Sequence, residues 1–268
     1  MSLEIGVFLP TSTPDPEHPI LGDVRASARF AEEVGLDSIW STDHLIASAP
    51  MLDSTVTLAT AAAVTERIKV GYNVMLLALR PVAWAAKQIG TLQYVSGDRL
   101  IVGVGTGNPA HGDIGWRAAG VSFEDRGRRT DEGLRVLPDL VAGRTATVGD
   151  GLEVTLAPGA AVPPILVAGN SSRARRRAAD YADGWITIQS DPERLSGDLA
   201  ELRELAAARD RAPLSVAVVA AGVSRDVGEV AAQMSAFAAQ GVSRVVLVPT
   251  GEQWQRDYEF AAKVRAAL

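Results

Sequence analysis

Two adjacent residues in the segment SIWSTDHL, Asp43 and His44, carry the side chains of the chain best suited to proton transfer. An imidazole titrates near neutral pH, so it can donate or accept a proton at a reacting centre. The segment begins as a short apolar run and then turns polar, which is typical of a buried strand entering a loop. A hydrogen-bonded loop pair also explains such a sequence, so a catalytic interpretation needs support from the rest of the chain.

Three further sets of polar or small residues follow apolar runs. Asn73 interrupts VGYNVMLLAL, and the segments GTGN and GNSS end two other runs; these segments contain Gly105, Thr106, Gly107 and Asn108, and Gly169, Asn170, Ser171 and Ser172. Each has a plain structural explanation, namely a satisfied backbone group, an ordinary glycine-rich loop and a helix N-cap. A capped helix start is also a good phosphate site, because its free N–H groups point outward.

Composition argues against several kinds of chemistry. The 268 residues include no cysteine and three histidines, His18, His44 and His111, and the net charge is −6. The absence of cysteine excludes thiol nucleophiles and cysteine-bound metals, and three histidines give a metal-dependent hydrolase few ligands, so we expect no metal site. The sequence contains no Gly-x-Ser-x-Gly motif, so it does not predict a serine hydrolase.

The same features bear on partners and location. Without a basic excess we expect no nucleic-acid or membrane partner, only a small-molecule substrate. The N-terminal segment MSLEIGVFLP has no basic stretch of a signal peptide, and no apolar run approaches the roughly 18 residues of a membrane span. A cytoplasmic protein is the expectation.

The candidate residues are positioned by strands and helices that alternate along the whole chain. The predicted strands are Leu3–Leu9, Ser38–Thr42, Ile68–Val74, Arg99–Val104, Pro164–Ala168, Asp183–Thr187, Leu214–Ala220 and Val242–Val248. The predicted helices begin near Asp23, Thr55, Pro81, Ser122, Ser171, Asp191, Asp226 and Gln253. A turn-rich stretch, Gly143–Pro158, is predicted to hold a small hairpin.

Eight strand–helix pairs in about 250 residues predict an α/β fold, a (β/α)8 TIM barrel formed by residues 1–268 as one domain. The strands are short and apolar, as expected when both faces of a parallel sheet are buried. An open doubly wound sheet is the alternative, but the first strand is not followed by its glycine fingerprint. In a barrel the strand ends that carry the candidate residues share one rim, so they predict one binding site.

Long stretches of the sequence resemble the bacterial luciferase-like flavin and deazaflavin oxidoreductases. The similar segments are DSIWSTDHL, TERIKVGYNVMLLALRPVAWAAKQIGTLQYVSGDRLIVGVGTGNP, GVSFEDRGRRTDEGLRVL and PPILVAGNSSRARRRAADYADGWIT. They occur in the family's order from Ile5 to about Thr187, and the remaining third fits the barrel by its alternation alone.

This resemblance implies roles for the candidate residues. His44, with its neighbour Asp43, would lie beside the cofactor ring and transfer a proton. The Asn73–Val74 bond would be a non-proline cis peptide behind the ring, residues 105–108 would line the ring and ribityl chain, and residues 169–172 would hold the ribityl phosphate. Leu45 and Asn108 stand where the sugar-phosphate dehydrogenase branch has other residues, which argues against a sugar-phosphate substrate.

The resemblance also leads to expectations about cofactor and assembly. Coenzyme F420 and FMN share a ribityl phosphate, and only F420 adds an anionic oligoglutamate tail. Two arginine runs, Arg173 with 175–177 and Arg126 with 128–129, favour F420, with FMN as the alternative. We expect a homodimeric oxidoreductase that transfers a hydride between F420 and a small organic substrate. An FMN-dependent luciferase-like monooxygenase and a non-catalytic flavin-binding barrel are the alternatives.

Overall fold

Eight parallel strands close into a barrel, as predicted. The computed structural model describes residues 3–13, 15, 17, 20–249 and 253–268, so His18 lies outside the described residues. The barrel strands are β1 (Glu4–Phe8), β2 (Ser38–Ser41), β3 (Lys69–Met75), β4 (Leu100–Val104), β7 (Ile165–Ala168), β8 (Gly184–Ile188), β9 (Ser215–Ala220) and β10 (Arg244–Leu247). They pair in chain order, and β10 returns to pair with β1.

Helices follow the barrel strands and cover the barrel. They are α1 (Val24–Glu33), α2 (Ser54–Ala62), α3 (Val82–Val95), α4 (Ile114–Ala118), α5 (Arg126–Val141), α6 (Ser172–Tyr181), α7 (Pro192–Ala207), α8 (Val227–Ala239) and α9 (Trp254–Ala266). The short α4 was not predicted. The helix predicted at Ser122 begins a turn later: the Ser122 hydroxyl accepts the Asp125 N–H at 3.3 Å, but this bond belongs to the turn before α5.

The predicted hairpin in 143–158 is present outside the barrel. Its antiparallel strands are β5 (Ala146–Val148) and β6 (Leu152–Val154).

Aspartates begin many of the helices. The side chains of Asp23, Asp53 and Asp226 accept backbone N–H groups of the first turn, which have no partner within the helix. None of the helices in the described part of the chain combines the length and apolarity needed to cross a bilayer.

Part of the apolar core lies inside the barrel. Trp40 is fully buried inside the barrel, where it packs with strand residues such as Ile101 and Val246. It needs glycine on the next strand, because a Cβ at Gly71 would lie 2.4 Å from the indole ring. At the opposite end from the candidate residues, Glu4 forms ion pairs with Lys69 and Arg244 across three strands. The packed barrel therefore leaves its C-terminal rim as the place for a site.

Candidate active site

His44 lies three residues after the end of β2, in a small recess at the rim. Both of its ring nitrogens are buried, and neither makes a hydrogen bond with a residue that the structure describes. Leu76, Leu79 and Trp116 line the recess together with Gly107 and Asn108, and its volume is about 10 Å³. Burial lowers the pKa of His44, and the nearby His111 lowers it further, against the opposing charge of Asp43. The ring is therefore neutral at pH 7 and can accept a proton.

The Asp43 carboxylate makes structural contacts on the other side of the strand end. It is 3% exposed and accepts the Ser54 hydroxyl at 3.0 Å and the Leu76 N–H at 2.9 Å. Both carboxylate oxygens also lie 2.9 Å from Nη2 of Arg80. Asp43 makes no hydrogen bond with His44; its carboxylate joins the ends of β2 and β3 through these contacts, and its charge opposes the lowering of the pKa of His44.

The end of β3 has the backbone that the resemblance implied. The Asn73–Val74 peptide is cis, and the register between β3 and β4 shifts between Tyr72 and Met75. Gly105 at the end of β4 packs closely here, since a Cβ would lie 2.4 Å from Val74 Cγ2. The Asn73 side chain is buried, and its amide nitrogen has no hydrogen-bond partner among the described residues. These residues form one surface of the rim.

The loop after β4 covers the recess. Gly107 has a φ of +86° and packs against the ring of Trp116, where a Cβ would lie 3.0 Å from the indole. The Asn108 side chain accepts the Ala110 N–H at 3.0 Å and so caps a 3-10 turn, Pro109–His111. This turn places His111 against His44. The motifs of the sequence analysis did not assign His111 or Trp116 to the site. The only sequence feature that could have indicated them is the presence of a histidine and a tryptophan shortly after the glycine-rich segment GTGN.

Residues 169–172 form the start of α6, as predicted. Gly169 has a φ of +137° and Ser171 caps the helix by accepting the Ala174 N–H at 3.2 Å. The Asn170 side chain instead joins neighbouring strand ends, accepting the Thr187 hydroxyl and the Ile188 N–H at 3.0 and 3.1 Å. It is therefore part of the rim's support as well as of the turn.

The Ser172 hydroxyl turns away from the helix start. It donates to Glu201 of α7 at 2.5 Å and accepts from Arg176 at 2.8 Å. Glu201 also accepts a hydrogen bond from Arg175, and the bonds from Ser172 and Arg175 lower the pKa of Glu201. In the predicted phosphate-binding turn the Gly169 N–H and carbonyl are already bonded to Ile186 and Trp185, so the N–H groups at the start of α6 that Ser171 does not accept are the donors left for an anion.

A groove of about 670 Å³ runs between α5 and α6 and reaches the rim at Thr106. Its cations outnumber its acids; they are Arg126, Arg128, Arg135, Arg173, Arg176 and Arg177, against Glu124, Asp131, Glu132 and Asp180. The groove therefore connects the loop after β4 with the first turn of α6, two sets of residues that the sequence analysis assigned to one cofactor.

The arginines of α6 differ in their surroundings. Arg175 and Arg177 have side chains only 8% exposed; Arg175 is ion-paired with Asp198 and Glu201 of α7, and Arg177 with Asp131 of α5. Both cations hold neighbouring helices together. Arg173 is exposed and makes no hydrogen bond or ion pair with any residue in the described ranges.

A family model described as luciferase-like monooxygenase matches residues 3–264. The chain belongs to this family. The luciferase-like chain is 30% identical to a 5,10-methylenetetrahydromethanopterin reductase of Methanolobus tindarius, over 76% of this chain and 61% of the reductase. It is 35% identical to an uncharacterized protein of Mycobacterium tuberculosis, over 58% of this chain and 54% of that protein. The matches thus span little more than half the length of these curated relatives.

Solved structures show the same luciferase-like fold. An F420-dependent secondary alcohol dehydrogenase with an F420-acetone adduct superposes with a TM-score of 0.83 at 18% identity, covering 100% of this chain and 99% of the other. The F420-dependent tetrahydromethanopterin reductase of Methanopyrus kandleri gives 0.74 at 17% identity, with 98% of each chain covered. An FMN-bound type II Baeyer–Villiger monooxygenase component from Pseudomonas putida gives 0.67 at 23% identity, covering 82% and 67%.

Proposed function

We propose that this luciferase-like chain is an oxidoreductase that transfers a hydride between coenzyme F420 and a small, uncharged organic substrate. The observation that carries the choice of cofactor is the cation-lined groove between α5 and α6, with the exposed Arg173 at its α6 end. F420 has a ribityl phosphate followed by an anionic tail. A helix start beside a groove rich in arginine offers favourable electrostatics to both parts.

The residues at the rim fit such a cofactor. Gly169 brings its backbone within close reach of α6, since a Cβ there would lie 2.8 Å from Ala174 Cβ, and a phosphate can approach the N–H groups of this turn. The Asn73 amide nitrogen is a buried donor without a described partner, which suits a contact with a polar ring edge. Thr106 lies at the junction between the rim and the groove.

The chain's own contribution to catalysis is proton transfer and selection of the substrate. Bound F420 supplies two-electron hydride chemistry. The neutral His44 ring would accept the proton that a substrate hydroxyl loses on oxidation, or return it in the reverse reaction. Its recess is lined mainly by apolar side chains and, among the described residues, by no lysine or arginine, so an anionic substrate would lose hydration there without a fixed counter-charge.

The named relatives support a deazaflavin without deciding it. Two structural neighbours are described as F420-dependent, and another is described as a complex with FMN. The turn at residues 169–172 suits the phosphate of either cofactor. The groove favours F420, because FMN ends at its phosphate and would leave these arginines unused. We further propose that the protein works in the cytoplasm as a homodimer.

Binding of F420 and FMN to the purified protein tests the proposal. We expect saturable F420 binding that is tighter than FMN binding and weakens as salt screens the tail. The Arg173→Gln variant should weaken F420 binding by about 3- to 10-fold and leave FMN binding less affected. Arg29→Gln, at an exposed arginine of α1, is the matched control and should bind F420 as the wild type does.

Two results would contradict this proposal in different ways. Stoichiometric FMN retained through purification, with no F420 binding, would establish the monooxygenase alternative. No saturable affinity for either cofactor would favour a non-catalytic barrel. A panel of neutral alcohols and ketones, each paired with a carboxylate-bearing analogue, tests the substrate class; equal turnover of both members of each pair would exclude selection against charge.

A further inference from the structure

His111 brings a second imidazole into the recess of His44. The two ring centroids are 4.6 Å apart and the ring planes meet at 71°, an edge-to-face contact. Nδ1 of His111 also lies 3.4 Å from the Ser48 hydroxyl. The contact therefore joins the loop after β2, which carries His44 and Ser48, to the loop after β4, which carries His111.

The loop that carries His111 closes the recess. Both nitrogens of His44 are buried, although imidazole nitrogens normally find a polar partner, and the remaining volume of about 10 Å³ is far smaller than a substrate. Trp116 holds this loop down by packing with Leu76 and Leu79. Access to His44 thus requires the His111 segment to shift, and Gly112, with a φ of +68°, lies directly after it.

Few charges act on the two rings. The β3 side contributes Leu76 and Leu79 and α4 contributes Gly115 and Trp116, none of which titrates. Asp43 precedes His44, but its carboxylate is paired with Arg80. His111 itself contacts the uncharged Ser48 hydroxyl. The strongest charge-dependent interaction available to either ring is therefore with the other ring, and two adjacent imidazolium ions repel each other.

We propose that His111 is a positioning residue of this site: its ring covers His44, and the two imidazoles together hold at most one proton. A proton on either ring disfavours a proton on the other, because two imidazolium ions whose ring centroids are 4.6 Å apart repel each other. In solution the pair titrates in two separated steps instead of as two independent histidines.

This pairing has a consequence for catalysis that rests on the proposed function. In the proposed oxidation of a hydroxyl group, bound F420 would supply the hydride acceptor and the neutral His44 would take the proton from the oxygen. His44 can accept that proton only while His111 is neutral. His111 would therefore set the acidic limit of substrate oxidation without touching the substrate.

Histidine titration by NMR in the free protein tests the pairing without any cofactor, so its outcome is independent of the proposed function. In His111→Asn the pKa of His44 should rise by on the order of half a unit or more, because both the cover and the repulsion are removed. In His44→Asn one titration step should remain at this site in place of the two separated steps of the pair. A rearrangement of the loop alone would not couple the two steps.

Two further variants keep the test decisive if one substitution disturbs the loop. Ser48→Ala removes only the hydrogen bond to His111 and should shift the pKa of His44 in the same direction by less. His111→Phe keeps an aromatic cover, so acylation of His44 by diethyl pyrocarbonate should stay slow there and become several-fold faster in His111→Asn. An unchanged His44 titration together with unchanged acylation in His111→Asn would overturn the proposal.

Discussion

His44 and Asp43 are consecutive in the chain, yet their side chains have separate surroundings. The carboxylate is held by Arg80, Ser54 and the Leu76 N–H, whereas the imidazole faces an apolar recess. The sequence correctly placed both at the end of β2. It could not reveal that the acid supports the strand ends, because Arg80 is 37 positions away and approaches only after β3 has paired.

Replacing His44 tests its chemical role. His44→Asn should leave the fold intact and lower turnover by roughly 10²- to 10⁴-fold, because it removes proton transfer. With the wild type, oxidation rates should fall at acidic pH, where the His44–His111 pair holds a proton and His44 cannot accept another, although burial keeps His44 itself neutral at pH 7. Unchanged kinetics in His44→Asn would make the residue structural.

The same shift in the pKa of His44 links its protonation to stability. The unfolded chain binds a proton at the ordinary imidazole pKa of about 6.5, and the folded chain binds it only at lower pH. The free energy of unfolding should therefore fall as the pH drops below about 6.5. His44→Asn should reduce this part of the pH dependence, measured by denaturant unfolding at several pH values.

Asp43→Asn should act mainly on stability. It leaves Arg80 without its carboxylate in a site where the acid is 3% and the arginine side chain 21% exposed. We expect a loss of about 2–4 kcal/mol in the free energy of unfolding, below the full cost of a wholly buried unpaired charge because Arg80 keeps some solvent contact. Denaturant unfolding measures this loss. A large fall in turnover at unchanged stability would instead assign Asp43 to the chemistry.

At the scale of elements, the turn before α6 is the most constrained of the predicted segments. Gly169 has a φ of +137° and no space for a Cβ beside Ala174. Gly169→Ala should cost about 1–3 kcal/mol of stability and weaken cofactor binding, because the turn must shift. Gly197→Ala inside α7 is the control; no atom lies within 4 Å of its added Cβ, so it should stabilise by about 0.5–1 kcal/mol. Similar effects of the two changes, measured by thermal unfolding, would contradict this account.

The sequence predicted the regular elements well for a physical reason. Barrel strands are short apolar runs and most helices begin at a capping residue, so both signals are local. The helix α4, five residues long, has too few turns for a periodic pattern and is fixed by Trp116, which packs against the distant Leu76 and Leu79. The contact between His111 and His44 depends on this non-local packing and could not be predicted.

The arginines of α6 show the same limit. Four of them lie within residues 173–177, and the sequence does not show which of the four are exposed. Arg175 and Arg177 are buried because their partners, Asp198, Glu201 and Asp131, lie on the adjacent helices α7 and α5. The sequence shows that this region is rich in arginine. Which of these arginines are free to contact a ligand depends on how α5, α6 and α7 pack together.

Across the whole molecule, closure of the barrel brings the two ends of the chain together. β1 pairs with β10, and the Tyr258 hydroxyl of α9 donates to the Phe8 carbonyl at 2.8 Å. We therefore expect one cooperative unfolding transition, seen alike by tryptophan fluorescence and circular dichroism. Limited proteolysis should cut first at the hairpin in 143–158 or at the rim loops. Two separately stable fragments would contradict a single domain.

We place the interface of the proposed homodimer on the neighbouring helices α2 and α3. Val56, Trp84 and Val95 expose 66%, 66% and 55% of their surface, and Trp84 and Val95 lie on one face of α3 at helical spacing. Large apolar side chains grouped on one face are more often covered by a partner than left in water, and a second copy of the chain offers the same face.

Trp84→Glu should therefore convert a dimer into a monomer at micromolar concentration, because it would bury a charge at the centre of the interface. Analytical ultracentrifugation measures the mass. Ala232→Glu is the control: Ala232 is exposed on α8, which packs against α7 and α9 on another side of the barrel, and its replacement should leave the mass unchanged. A wild-type protein that is monomeric at this concentration would exclude the homodimer. A dimer that survives Trp84→Glu would move the interface to another face of the barrel.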